Sequence, residues 1–273
     1  MRFDILTIFP GFFEGFLTHG VVRRALENGT VVCARHDLRD FTQDRHRTVD
    51  DRPFGGGEGM VLKPEPVAAA LESLGLAPRE ERASGSQSVI LLSAQGERFT
   101  QSLARQLAQL DRIVLICGRY EGVDERIHTL FCDRELSIGD YVLTGGELAA
   151  AVMMDATTRL LPGVLSNEAS SAYESFGVAD EGLEQASGEA PRSTHGSGGL
   201  LDYPHYTRPA EFRGLTVPEV LCGGDHAAIR RWRREQALLK TLRNRPDLLL
   251  NADLSASDRA FLARSTGNHG RDD

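Results

Sequence analysis

The chain has 273 residues, 41% of them hydrophobic and 26% charged, with a formal net charge of −8. This is the balance of a soluble globular protein with enough chain to bury a core, as one large or two medium domains. The apolar run in "MRFDILTIFPGFF" is too short to span a membrane, and Asp4 and Pro10 do not suit a signal peptide, so the expected compartment is the cytoplasm.

In chain order, "RFDILTIF" reads as a strand, a helical stretch through Val21 to Glu27 stops at Asn28-Gly29, and "TVVCARHDL" reads as a second strand. A polar, glycine-rich loop follows, and a helix is expected from near Pro64 to about Leu74. "SVILLSAQG" is a short apolar strand, and Thr100 caps a helix over "QSLARQLAQL". "RIVLICG" is another buried strand, and Gly146 opens the apolar helix "ELAAAVMMDATTRLL", which Pro162-Gly163 ends. Such alternation predicts an α/β fold, a mainly parallel sheet with helices on both faces. The cysteines Cys33, Cys117, Cys132 and Cys222 are scattered without a C-x-x-C pair, and read as reduced core thiols rather than zinc ligands or disulfides.

The texture changes at "GLEQASGEAPRSTHGSGG", residues 182–199, which is rich in Gly, Ser and Pro and reads as a flexible linker or disordered insertion. Beyond it, "GGDHAAIRRWRREQALLKTLRNRP" contains a basic helix that stops before Pro246, and Ser255 with Asp258 looks like the cap of a short last helix. The expected division is therefore 1–166 as a sheet domain, 167–200 as a linker with the insertion, and 201–273 as a small helical domain. Charge follows the same division: 18 Lys/Arg against 23 Asp/Glu in 1–166, one against six in 167–200, and 12 against 10 in 201–273. A polyanion would thus be met by local patches and not by the field of the whole chain.

Three strand ends carry glycine: Ala94-Gln95-Gly96, the run "GRYEG" at 118–122, and "SIGDYVLTGGE" at 137–147. Each glycine alone is most simply a turn. Three in one context point to a ligand site at the carboxyl edge of the sheet, where open α/β folds bind. There is neither G-x-G-x-x-G nor Gly-Lys-Ser/Thr, which argues against dinucleotides and nucleoside triphosphates. S-adenosylmethionine fits better, because it has an adenosine and an amino-acid end but no phosphate.

With "DRHRTVDDRPFGGGEGM", "ICGRYEGVDER", "SIGDYVLTGGE", "PGVL", "GLLDYPHYTRP" and "HAAIRRWR" in this order, the chain resembles the bacterial tRNA (guanine-N1)-methyltransferases, the TrmD type of the trefoil-knotted methyltransferases. The resemblance implies a deep trefoil knot in the sheet domain and a homodimer whose active site is shared between subunits. It implies methyl transfer from S-adenosylmethionine to N1 of the guanosine at position 37 of tRNA, with magnesium as an accompanying ion and no metal-ligating residues assigned. Carried over, the cofactor pocket comprises Leu92, Ser93, Gly118, Tyr120, Glu121, Ser137, Ile138, Gly139, Asp140, Tyr141, Val142, Leu143, Gly145 and Gly146. The catalytic pair falls on Glu174 and Arg159, and tRNA contacts fall on Arg45, His46, Asp50, Arg52, Arg230 and Arg231.

Methylating guanine N1 requires loss of its proton, so a carboxylate near N1 and a cation near O6 are the groups the chemistry wants. Two departures from the family pattern stand out. Ala94 occupies a position where Pro is usual, and Glu174, in "YESF", occupies the place of an Asp, with Asp180 as a rival base. By composition alone Glu174 would be an exposed linker residue, Arg159 a cation at a helix C-terminus, and the Arg45–Arg52 loop a solvated one. About twenty residues between Phe176 and Leu200 are additional to the family pattern and cannot build a core. Two other readings stay open: ribose 2′-O-methylation by a related knotted enzyme, and an RNA-binding protein that keeps the cofactor pocket without turnover.

Overall fold

The computed structural model describes residues 1–83, 85–166, 173–177 and 197–267. It divides into two compact units, Met1–Ser166 and Asn167–Asp273. The insertion expected at 182–199 lies outside the described residues except for Ser197–Gly199, as does Asp180.

In the first unit, β1 (Arg2–Thr7) leads through a short helix α1 (Glu14–Leu17) and α2 (Gly20–Glu27) to β2 (Val32–Asp37). A two-stranded ribbon follows, β3 (Asp50–Asp51) and β4 (Val61–Leu62), then α3 (Pro64–Ser73), β5 (Gln87–Arg98), α4 (Gln101–Leu107) and β6 (Arg112–Cys117). The unit closes with α5 (Glu125–Phe131), β7 (Arg134–Ser137) and α6 (Glu147–Thr158). The main sheet has the order β2-β1-β6-β5-β7, and every pairing in it is parallel.

Because side chains alternate across a strand, a sheet covered on both faces needs apolar residues at every position. On β5, Ile90 and Leu92 pack with α2, α4 and α6, while Val89 and Leu91 face the opposite core with α3 and α5. β6 alternates in the same way: Ile113, Leu115 and Cys117 on one side, Val114 and Ile116 on the other. The continuous apolar runs read from the sequence are therefore two cores back to back. Asp4 is the exception on β1. It is fully buried and accepts hydrogen bonds from Arg2 (2.7 Å) and Arg112 (2.8 Å), with His36 Nε2 at 2.8 Å. Burial pushes its carboxyl pKa up, but these bonds outweigh it and hold the group far below the usual carboxylate range.

Three expectations need correcting. β5 does not end at Ala94-Gln95-Gly96. It bulges there, with both Leu92 and Glu97 paired to Leu136, and runs on to Arg98. The last apolar helix stops at Thr158, so Arg159 is its C-cap residue, and Leu160 and Leu161 form a tighter turn. Cys222 is exposed, whereas Cys117 and Cys132 are core thiols; burial pushes the Cys132 pKa up to about 12 and that of Cys33 to about 11.

The second unit is built on α7 (His226–Asn244) and α8 (Ala256–Gly267), with a small hairpin, β8 (Glu211–Phe212) and β9 (Leu215–Thr216). Asp225 caps α7, accepting from the amides of Ala227 (2.9 Å) and Ala228 (3.0 Å). Ser255 and Asp258 form a reciprocal capping box: the Asp258 amide donates to Ser255 Oγ (3.1 Å) and the Ser255 amide to Asp258 Oδ2 (2.9 Å). Asp258 also receives Arg234. The segments read as linker belong to this unit, since Phe176 N donates to the carbonyl of Leu200 (2.8 Å) and Leu201 N to Thr241 Oγ1 (3.0 Å).

Candidate active site

β6, β5 and β7 are neighbours, so their carboxyl ends lie side by side along one sheet edge. A cleft of about 410 Å³ opens there, walled by residues 91–95, the 118–123 turn and the 135–146 segment. Every residue assigned by resemblance to the cofactor lines this cleft except Asp140. Asp140 is strongly exposed and its carboxylate pairs with Arg98 at the end of β5.

The glycines of the three turns serve the chain's own crossings. A Cβ on Gly96 would stand 2.5 Å from the backbone of Glu135 and Leu136, so only glycine lets the bulge of β5 press against β7. A Cβ on Gly146 would stand 2.8 Å from Cys117 Cα, and one on Gly145 would strike the Arg119 side chain. The 141–146 segment accordingly docks on the end of β6: Gly145 bridges Arg119, and the Gly146 amide donates to the carbonyl of Gly118 (2.9 Å). Backbone groups and two tyrosines are what these loops leave to a ligand. Tyr120 is held at φ 59° in the turn closed by Gly122 N to Arg119 O (3.0 Å), and both it and Tyr141 are exposed at the cleft.

Sequence reading assigned no role to the pair that fastens this edge. Glu147, at the first position of α6, is 1% exposed and receives the Thr7 hydroxyl (2.7 Å) and the Arg119 guanidinium (Nη2 to Oε2, 2.9 Å). Arg119 also donates to the carbonyl of Thr144 (3.1 Å), and its Cζ stands 4.6 Å from the Phe9 ring centroid. Among the described residues it is the one cation lining the cleft, and it is already neutralised, and the other charged lining residues are Glu121, Glu125 and Glu135. The cleft thus suits a positively charged, phosphate-free ligand and opposes a polyphosphate.

The loop proposed to meet tRNA is tied to the same edge. Asp50 pairs with Leu62 across the β3–β4 ribbon, Leu62 N donates to the carbonyl of Gly122 (2.9 Å), and Glu121 N donates to that of Met60 (2.9 Å). Arg45, His46 and Arg52 are exposed along this loop. Asp44, just before the loop that reads as solvated, organises it by accepting from the amides of Thr48 (3.0 Å) and His46 (2.9 Å), bonds that lower its pKa. Among the described residues, no group of three or more His, Cys, Asp or Glu side chains could hold a metal ion.

Glu174 and Arg159 lie in different units. Glu174 starts a tight turn in which Gly177 N donates to its carbonyl (2.9 Å) and Phe176 adopts φ 62°. The next residue, Ser175, accepts from the amide of Asp202 (2.9 Å). Arg230 and Arg231 are exposed on α7.

The family model described as tRNA (Guanine-1)-methyltransferase TrmD matches residues 1–251. A curated relative from Koribacter versatilis, named tRNA (guanine-N(1)-)-methyltransferase, is 57% identical over 97% of this chain and 98% of its own. Relatives of the same name from Geobacter metallireducens and Geobacter sulfurreducens are 51% and 52% identical, each over 96% of this chain and over 96% and 97% of their own lengths.

Proposed function

The chain belongs to the tRNA (guanine-1)-methyltransferase TrmD family, and from that premise we propose that it transfers a methyl group from S-adenosylmethionine to N1 of guanosine 37 in tRNA. The observation that carries the donor assignment is the charge of the cleft: three glutamates, and one arginine already bound to Glu147. When bound, S-adenosylmethionine supplies an electrophilic methyl on a cationic sulfur, and its positive ends match these acids. Leu92, Ser93, Gly118, Tyr120, Gly139, Tyr141, Leu143 and Gly145 would hold it, through backbone groups and the two rings. The knot implied by the family is consistent with the tight docking of 141–146 on the end of β6.

Glu174 accepts the N1 proton, leaving that nitrogen's lone pair free to take the methyl group, and Arg159 stabilises the charge that gathers on O6. Asp50 and its loop read the guanine, while Arg45, Arg52, Arg230 and Arg231 meet phosphates. The functional assembly is a homodimer with a shared active site. Its support here is apolar surface beside the cleft edge: Phe9, Phe12, Leu148 and Val152 are each 44–50% exposed, on segments that pack together. The reading places its action on cytoplasmic tRNA; among the described residues no helix is long and apolar enough to cross a membrane.

Transfer of labelled methyl to tRNA transcripts carrying G or A at position 37 tests the assignment. Label is expected only with G37, as 1-methylguanosine after nuclease digestion. Label on a ribose 2′-oxygen, or equal label on both transcripts, would overturn it.

A further inference from the structure

The second unit has a cavity of its own, about 390 Å³, within the range of ~300–1,000 Å³ typical of small-ligand sites. Its walls come from the "DYPHYTR" segment, the β8–β9 region and α7. Tyr206 and Trp232 stand with ring centroids 6.3 Å apart at 54°, so they do not cover one another face to face, and Tyr206 is about half exposed. Arg233 lies over the Tyr203 ring (4.8 Å), and the exposed His205 packs on the same ring (4.6 Å) with its Nε2 2.9 Å from Asp202 Oδ2. Among the described residues the lining contains Arg208, Arg233 and His205 and no Asp or Glu, although His205 is paired with Asp202. Val217, Leu221 and Ile229 also line it.

We propose that this cavity receives one unpaired nucleobase of the tRNA substrate, stacked on Trp232 and Tyr206 with Arg208 and Arg233 at its polar edge. The inference rests on the reading that the chain acts on tRNA, and adds a base-holding site in the second unit to it. Aromatic faces bind bases of any identity, and guanidinium groups add cation–π attraction and neutralise phosphate. An acid-free wall would not favour a cationic ligand, so the chemistry is opposite to that of the cleft in the first unit. Of the four arginines around Trp232, Arg234 is held by Asp258 and the carbonyls of Ser197 and Asp253. Arg230 and Arg231 are left exposed for the flanking backbone.

Trp232 is the chain's single tryptophan, so its emission reports this cavity directly. The full chain is titrated with a tRNA transcript and, separately, with a blunt RNA duplex that offers phosphates but no unpaired base. Saturable quenching is expected with the transcript and not with the duplex. Trp232→Ala should weaken transcript binding about 5- to 100-fold, in line with base–aromatic stacking, while Trp232→Phe keeps most of the affinity. Equal emission changes with both RNAs overturn the proposal, as does wild-type affinity in a folded Trp232→Ala variant. Loss of affinity in Trp232→Phe equal to that in Trp232→Ala also counts against stacking. If the wild-type chain methylates tRNA yet Trp232 does not respond, only this site is lost; if it does not methylate tRNA, the functional assignment itself fails.

Discussion

The cleft of the first unit and the cavity of the second are nearly equal in volume, about 410 and 390 Å³, and opposite in chemistry. The cleft is built from backbone crossings and acids, with its arginine consumed by Glu147. The cavity is lined by rings and cations, and among the described residues no Asp or Glu lines it, although Asp202 pairs with His205. The difference teaches that the chain's net charge of −8 says little about either partner. What decides is the charge that each lining presents locally.

The proposed proton acceptor, Glu174, belongs to the second unit, and its substitution carries the largest expected effect. Glu174→Gln keeps size and polarity but removes the basic oxygen, so single-turnover methyl transfer should fall by about 100-fold or more. Affinity for donor and tRNA should change far less. Glu174→Asp should keep more activity than Gln. Equal single-turnover rates for Gln and wild type would make Glu174 a bystander.

The second effect belongs to the first unit alone. Breaking one side of a buried ion pair costs about 3–5 kcal/mol when the other charge is stranded, and Arg119 retains partial solvent access, so Glu147→Gln should fall below that. Its clearer signature is the loosening of the 144–146 segment, read by calorimetry as roughly tenfold weaker S-adenosylmethionine binding, on the scale of one charged hydrogen bond. Gly145→Ala should do the same, because its Cβ displaces Arg119. Unchanged donor affinity in both variants, with tRNA affinity also intact, would remove this pair from the positioning of the cleft.

The first unit was the more legible of the two from sequence, and the reasons are physical. Apolar runs such as "VILLS" and "IVLIC" can satisfy only a doubly covered strand, so the sheet and the edge that carries the cleft were readable. α5 was not anticipated, because it is short and its apolar residues, Ile127 and Phe131, are too sparse to show a period, and β7 was implied only as the strand end before the third glycine turn. The Arg119–Glu147 pair was invisible because 28 residues separate its members and only the docking of the 141–146 segment joins them. The glycine turns read as a ligand site, and the atoms that crowd Gly96, Gly145 and Gly146 are the chain's own. In the second unit the basic helix was readable, whereas the cavity beside it depends on Tyr203 and Tyr206 coming from another segment.

Acid should destabilise both units in the same direction. Asp4 in the folded chain lies below its unfolded value of about 3.9, so its contribution is complete above that pH and fades as pH falls through the folded value. Asp258 has the same sign, lowered chiefly by Arg234 against the opposing effect of its burial. Unfolding midpoints in urea should therefore hold steady near neutrality and drop below about pH 4. Asp4→Asn should lower stability at neutral pH and flatten that drop. An acid limb of wild-type steepness in the variant would show that other carboxylates carry it.

The smallest effect should come from removing the insertion, and the structure refines where to cut. Gly199 N donates to the carbonyl of Gly177 (3.0 Å), so the two ends of the added segment are hydrogen-bonded to each other in a closed neck. Ser197 is buried at that neck, its carbonyl accepts from Arg234 (3.2 Å), and Leu200 N donates to the same carbonyl (3.0 Å). A deletion must therefore stop short of Ser197. Replacing 183–196 with three or four glycines leaves the neck closed and shortens a loop whose closure entropy changes by only about 0.6 kcal/mol per halving of length. Methyl transfer should stay within severalfold of wild type, and tRNA affinity should follow it. Extending the cut through Gly199 removes the neck and the Arg234 contact, and should destabilise the second unit by about 1–3 kcal/mol as a charged hydrogen bond is lost. A collapse of activity in the shorter deletion, with fold and tRNA affinity intact, would instead assign residues 183–196 to the reacting complex.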